Sequence, residues 1–318
     1  VNNLTTNDET PALGGSVDDT AATISVSVDG QTVTATNNGD GTWSLADDTL
    51  TTLAEGTFDV SVTATDVAAN IGSDATTDEL VIDTTPPAAP SAPDLDDASD
   101  SNITDDDITS NDTPTVSGTA EPNSVLELFE GATSLGTTTA DGTGDWSITS
   151  STLTEGVHSL TAVATDAAGN SSATSAPLSV TIDTTVPVVT VTSLTTNDET
   201  PALDGTVDDN TATIEVVGQT VPAVNNGDGT WNLPDGSLDA LGEGTFDVWV
   251  TATDIAGNSG SDATTAELII DMTAPVVTIN SLTTNDETPA LGGSVDDTAA
   301  TISVSVDGQT VTATNNGD

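Results

Sequence analysis

Four landmarks recur in the same order three times along this chain, and that recurrence constrains the fold more than any other feature. A Trp follows a Gly-Asp turn at Trp43, Trp146 and Trp231. A Glu-Gly pair opens an apolar run at Glu55, Glu155 and Glu243. A run ending in Ala-Thr-Asp leads into an Asn-containing turn, from Asp66 to Asn70, Asp166 to Asn170 and Asp254 to Asn258. An Ile-Asp-x-Thr-x-Pro stretch closes each unit at Asp83, Asp183 and Asp271. The closing aspartates lie 100 and 88 positions apart, the size of one immunoglobulin-like sandwich. In addition, the 37 residues from Leu4 to Asp40 recur unchanged from Leu282 to Asp318. The expected units are therefore 1–85, 86–185, 186–273 and the first half of a fourth, 274–318. The second carries an acidic insertion, 88–107, rich in Pro, Ser and Asp.

Within a unit, apolar residues alternate with Thr and Ser in short runs separated by Gly, Asn and Asp, the pattern of half-buried strands. Seven strands are expected in the third unit: VVTVTSL, PALDGTV, ATIEVVG, TVPAVNN, GTWNLP, TFDVWVTATD and AELIID. In the sixth strand of the first unit, Phe58, Val60 and Val62 should face the core, with Asp59, Ser61 and Thr63 outward. No segment has a helical period. The fold expected is all-β: tandem immunoglobulin-like Greek-key β-sandwich domains arranged end to end as an elongated rod. Half a sandwich has unpaired strand edges, so 274–318 is expected to be disordered or to pair with another chain.

The charge balance excludes several functions. The chain has 318 residues, no Lys, no Arg and 52 Asp plus Glu, a formal net charge of −52. His158 is the only side chain able to become a cation. Such a polyanion needs screening salt or bound cations, and carboxylate and carbonyl oxygens suit Ca²⁺. Without basic groups nucleic acid is a poor partner, and no apolar run is long enough for membrane insertion. No Cys is present, so disulfides and thiolate chemistry are excluded. Nothing at Val1 has a signal-peptide pattern, which suggests an internal piece of a longer protein. With one His and no Cys, Lys, Arg or Tyr, no catalytic residues and no enzyme activity are expected. Recurrent Asp residues fit structure or metal binding better than one catalytic cleft.

The motifs GTAEPNSV (from Gly118), ATDAAGN (from Ala164) and IDTTVP (from Ile182) resemble the bacterial immunoglobulin-like repeats of giant secreted RTX-type and biofilm adhesins. The resemblance covers essentially the whole chain. It implies an extracellular protein at the bacterial cell surface whose repeats extend an adhesive tip, with Ca²⁺ rigidifying the junctions between domains.

Sandwich topology gives candidate ligands at those junctions. The last strand leaves one end of a unit and carries its closing Asp toward the loops at the start of the next. Asp83 should then meet Glu121, Asp166 and Asn170. Asp183 should meet Asp208, Asp209, Asp254 and Asn258, and Asp271 should meet Asp296 and Asp297. Asp18, Asp19, Asp66 and Asn70 form the corresponding end of the first unit. The same residues are also turn formers that bond their own backbone, so both readings stay open. Asn7-Asp8-Glu9 and its copies at 197–199 and 285–287, with Asn111-Asp112, read first as turns. The run from Asp94 to Thr109 reads equally as a Ca²⁺ loop or a solvated linker. His158 aligns with Phe58 and Phe246 and reads as structural, at the core edge. Trp249 falls on an outward face, where it packs on a neighbour or stacks on a sugar.

The function expected is a structural spacer of a large adhesin, supporting cell adhesion or biofilm formation. Its partners are neighbouring repeats of the same chain. Alternatives are a repeat of a self-assembling filament or surface layer, with other copies of the chain as partners, or a carbohydrate-binding module for a surface glycan.

Overall fold

Runs with one apolar face can bury it only by pairing into sheets that pack on each other. In the computed structural model of the chain, which describes residues 1–74 and 76–317, they do so, with no helix among the described residues. Ala75 and Asp318, inside the expected first and fourth units, lie outside the described residues. The chain divides into two compact units, Val1–Val186 with Asp254–Asn258, and Pro187–Thr253 with Ser259–Asp318.

The first unit holds two sandwiches, and the second of these shows the plan most clearly. One sheet orders Asp94–Leu95, Thr115–Thr119 and Asp145–Thr149. The other orders Ile108–Thr109, Leu178–Ile182, Gly156–Thr165, Val125–Glu130 and Thr133–Thr139. Leu126, Leu128, Leu160, Ala162, Val180 and Ile182 fill the space between them with Trp146 and Val116. The first strand of the sandwich is thus split between sheets. Asp94–Leu95 pairs antiparallel with Thr115–Thr119, and Ile108–Thr109 pairs parallel with Leu178–Ile182. Segment 88–107 is therefore not all insertion: it contains the first half-strand, and the extra residues are the loop 96–107 between the two halves.

The first sandwich orders Leu13–Ser16, Thr42–Leu45, Gln31–Asn37, Thr23–Val28, Ser61–Thr65 and Ile71–Ser73 in one sheet. Leu4–Thr6, Leu80–Ile82 and Gly56–Phe58 form the other. Val60 and Val62 are buried and Phe58 is half-buried, while Asp59 and Ser61 are exposed, as the alternation requires. The sandwich of the second unit repeats this order. Its seven-stranded sheet runs from Val189–Val191 to Ser259–Ser261, and its three-stranded sheet joins Leu194–Thr196, Leu268–Ile270 and Gly244–Phe246.

Two of the expected strands break here. VVTVTSL divides into Val189–Val191 and Leu194–Thr196, which join different sheets. TFDVWVTATD divides into Gly244–Phe246 and Val250–Thr253. The second break has a chemical cause. Glu267, 3% exposed, turns its carboxylate inward, and Oε2 accepts the Val248 N–H at 3.0 Å in place of a ladder carbonyl. Glu79 does the same for the Val60 N–H at 3.1 Å. Burial alone would raise the carboxyl pKa of both glutamates. Bonds from Thr76 and Val60 to Glu79, and from Val248 and Thr264 to Glu267, outweigh it and hold both below the usual glutamate range. The second sandwich has Pro177 at this position, and there the strand runs unbroken through Gly156–Thr165.

Each core Trp is seated over a glycine of the neighbouring strand: Gly15 opposite Trp43, Gly118 opposite Trp146, Gly205 opposite Trp231. A Cβ on Gly205 would lie 1.9 Å from the Thr190 carbonyl oxygen and 2.6 Å from Trp231 Nε1. The indole there is fully buried and donates to that same carbonyl at 2.8 Å.

Segment 274–318 behaves differently from the expectation of disorder. Its described residues pair locally, Val277–Ile279 with Gly293–Val295 and Ile302–Val306 with Gln309–Ala313. Hairpin ladders need only partners close in sequence, so they form although no described residue of the segment is buried.

Candidate functional site

The recurring Asp-x-x-x-Asn sequence folds as one repeated turn. Asp66 Oδ1 accepts the N–H groups of Ala68 and Asn70 at 2.7 and 2.8 Å, and Oδ2 accepts Asn70 Nδ2 at 2.7 Å. Asp166 makes the same three bonds, to Ala168, Asn170 and the Asn170 side chain, at 2.9, 2.9 and 2.8 Å. Asp254 accepts the Asn258 N–H at 2.8 Å and its Nδ2 at 2.9 Å. Burial pushes Asp166 up, but the Asn170 bonds win and hold its carboxyl below the usual range; for the exposed Asp66 turn the Asn70 bonds lower it directly. The carboxylate is thus spent on ordering the turn, which leaves the second Asn side-chain N–H free to bond elsewhere.

That second N–H makes a joint. Asn170, 7% exposed, donates from Nδ2 to the backbone carbonyl of Asp83 at 2.7 Å. Asn7 donates its backbone N–H to Ala168 O at 3.1 Å beside it. The same contact recurs in the first unit between Asn258 and the Asp183 carbonyl, again at 2.7 Å. Asp83 and Asp183 each close a turn of their own, accepting Thr85 N–H at 3.0 Å and Thr185 N–H at 3.1 Å. The structure therefore brings Asp83 together with Asn170 and Asp166, and Asp183 with Asn258 and Asp254. Burial raises the Asp183 carboxyl pKa, and the nearby charges of Asp254 and Glu155 raise it further.

The other candidate residues bond their own loops or, for Asp208 and Asp296, the segment 20 residues before them. Glu121 is exposed, and its carbonyl accepts Ser124 N–H at 3.1 Å. Asp208 accepts Val188 N–H at 2.7 Å, and Asp209 accepts Thr211 N–H at 2.7 Å. Asp296 accepts Val276 N–H at 2.7 Å and Asp297 accepts Ala299 N–H at 2.8 Å. Asp271 bonds Thr273 N–H at 3.0 Å, Asp19 bonds Ala21 N–H at 2.8 Å, and Asp18 is exposed. Among the described residues no three acidic or His side chains already converge as a metal-ligand set. The donor types, carboxylate, backbone carbonyl and Asn amide oxygen, are those calcium takes.

Glu55, Glu155 and Glu243 were legible only as landmarks, yet each reaches the exit segment of its sandwich. Glu55 accepts Thr85 Oγ1 at 2.7 Å, Glu155 accepts Thr184 N–H at 3.0 Å, and Glu243 accepts Thr273 Oγ1 at 2.9 Å. Their recurrence beside each closing Asp was the available signal. His158 is 7% exposed, with Nδ1 at 2.8 Å from Glu130 Oε1 and Nε2 at 2.7 Å from Thr154 O. Both partners accept only, so both ring nitrogens donate when the ring is protonated. Burial lowers the His158 pKa, but these two bonds and the Glu130 charge outweigh it and raise the pKa overall. Trp249 is 64% exposed, on the outward face the alternation gives it.

These are immunoglobulin-like sandwiches that follow one another in sequence and repeat one Asp-x-x-x-Asn turn. The bacterial Ig-like domain model matches residues 1–84, 86–184 and 190–272, and a group 3 model of that domain matches 235–313. The chain belongs to the bacterial Ig-like domain family. Among curated proteins none matches. Among solved structures the chain is similar to a Ca²⁺-stabilised adhesin that helps an Antarctic bacterium reach out and bind ice. The two are 25% identical, with 96% of this chain and 83% of that one covered at a TM-score of 0.37. It is also similar to a 1.5-MDa bacterial ice-binding adhesin, at 21% identity, 83% and 93% coverage and a TM-score of 0.32. A tetra-tandem repeat in the extending region of a large adhesion protein matches at 25% identity, 96% and 84% coverage and a TM-score of 0.28. No helix among the described residues is long and apolar enough to cross a membrane.

Proposed function

We propose that this chain is a spacer of an extracellular bacterial surface protein, serving adhesion or biofilm formation by carrying a binding part outside it. The repeated joint carries the reading: an Asn held by an Asp turn grips the carbonyl of the preceding closing Asp, at Asn170–Asp83 and again at Asn258–Asp183. One structural device that recurs with the sequence repeat fits a load-bearing array better than a single recognition site.

Calcium belongs to the same reading. With no Lys or Arg in the chain, the acids that crowd at these boundaries have no side-chain cation beyond one His. Asp83 with Asp166 and Asn170, and Asp183 with Asp254, Asn258 and Glu155, would hold the ion. It would supply positive charge where carboxylates repel, and so limit bending. Solution scattering and melting of the full chain in millimolar calcium and then in excess chelator test this. Chelation should shorten the maximum dimension and lower the melting temperature; identical values in both conditions refute the calcium part, and a compact particle in both refutes the spacer.

A further inference from the structure

The loop 96–107 of the second sandwich contains two anionic oxygens that nothing in the described structure satisfies. Asp100 is 6% exposed; its Oδ2 accepts the Asp105 N–H at 2.7 Å, while its Oδ1 is buried without a partner. Asp106 Oδ1 accepts the Ile108 N–H at 3.0 Å, and its Oδ2 is likewise buried without a partner. A carboxylate oxygen removed from water is destabilising unless a donor or cation faces it. The composition offers neither Lys nor Arg for the purpose, and His158 is engaged with Glu130 and Thr154.

The surroundings add negative charge rather than relieve it. Asp107 sits half-buried in the same loop, with the carboxylates of Asp100, Asp94, Asp106 and Asp105 around it. Asp96 is occupied, its Oδ1 accepting Ser117 Oγ at 2.5 Å. The loop also holds Asn102, Asp105 and Asp107 at left-handed φ angles of 67°, 70° and 58°. Asn and Asp adopt that region more readily than other non-glycine residues, so the angles mark a tightly turned loop. Two unpartnered carboxylate oxygens among further carboxylates, with no cationic side chain beside them, call for a small hard cation.

We infer that Asp100 and Asp106, with Asp107 beside them, bind one calcium ion inside this loop. The oxygen-only donors and the flexible carboxylate denticity favour Ca²⁺ over Mg²⁺, which demands near-octahedral geometry. Because no complete ligand set is yet drawn together, binding pulls Asp106 and Asp107 toward the buried Asp100. The loop in turn holds segment Asp254–Asn258. Ser101 Oγ donates to the Ala256 carbonyl, and Asn102 Nδ2 donates to Ile255 O at 3.0 Å and Asp254 O at 3.3 Å. The ion therefore governs whether that grip is ordered. The site goes beyond the joint residues of the proposed function and stands or falls separately from them.

The test titrates the full chain with calcium chloride, counting equivalents by calorimetry, in three forms: wild type, Asp100→Asn with Asp106→Asn, and Asp83→Asn with Asp166→Asn. The first pair should lose one equivalent and keep the rest. In chelator it should melt no lower than wild type, since two unpaired charges have been removed. The joint pair should keep the loop equivalent. An unchanged count in the loop pair overturns the inference, whatever the joint pair does. A loss confined to the joint pair would leave only the joint reading standing. A measurement on wild type guards against misfolded variants. Hydrogen exchange of the Asp105 and Ile108 amides, which bond the two carboxylates, should slow about 100-fold at calcium 100 times its Kd. Equal exchange with and without calcium also overturns the site.

Discussion

Replacing Asn170 tests the joint most directly. Asn170→Ala removes two bonds from a side chain that is 7% exposed: one to the Asp83 carbonyl at 2.7 Å and one to the Asp166 carboxylate at 2.8 Å. The neutral bond contributes about 1 kcal/mol and the charge-assisted one about 1.5 kcal/mol. The turn itself survives, because Asp166 keeps its two backbone donors. A loss of about 2.5 kcal/mol over two coupled sandwiches of this size lowers the melting temperature by about 5–10 °C. Differential scanning calorimetry in chelator reads that shift. Asn170→Asp is the informative companion. It loses the donor and sets a new carboxylate against Asp166, so in chelator it should melt below the Ala variant. In saturating calcium the added carboxylate becomes a ligand, and the order should reverse. An Ala variant that melts with wild type shows the joint carries no load. An Asp variant that stays below Ala in calcium shows the joint does not take the ion.

Two further outcomes follow from other parts of the fold. Gly205→Ala should cost about 3–5 kcal/mol, since the new Cβ separates Val189–Val191 from its neighbour and leaves the Trp231 N–H unpaired; Gly15→Ala, whose Cβ meets only the indole edge at 2.8 Å, should cost less, and equal effects in denaturant unfolding would contradict the seating argument. His158→Phe tests linkage: the folded pKa is raised, so the pair stabilises fully below the ordinary value of 6.5 and its contribution fades as pH rises through the folded value. The melting advantage of wild type over the Phe variant should therefore shrink from about pH 5.5 to pH 8, and a flat difference would refute it.

Much of this was legible because strand alternation and turn chemistry are local. The Trp, the Asp-x-x-x-Asn turn and the closing Asp stand where their spacing puts them. What the sequence hid is long-range. The division of VVTVTSL between two sheets depends on Leu194 bonding the Glu267 carbonyl, 73 residues on. Nothing in the sequence marks Glu267 and Glu79 as inward-facing, because the Val248 and Val60 N–H groups that they accept lie 19 residues before them. The joint was anticipated as a meeting of carboxylates. Its visible bond is instead from an amide to a backbone carbonyl, a group that carries no sequence signature. The half-strand at Asp94–Leu95 lay concealed in an acidic stretch because two residues are too few to show alternation.

The inward glutamate separates neighbours as well as shaping strands. Suppose the last strand of the first sandwich, carrying Glu79, entered the sheet of the second by domain swapping. Its carboxylate would be buried against Gly156–Thr165, which is continuous and has no broken position to receive it. In the reverse exchange Pro177 would leave the Val60 N–H without the acceptor that Glu79 supplies. Both exchanges are penalised, while the two sandwiches that share the glutamate are kept a full repeat apart in sequence. Alternating the device along the chain thus gives each sandwich a private lock during folding, which an array of identical repeats would lack.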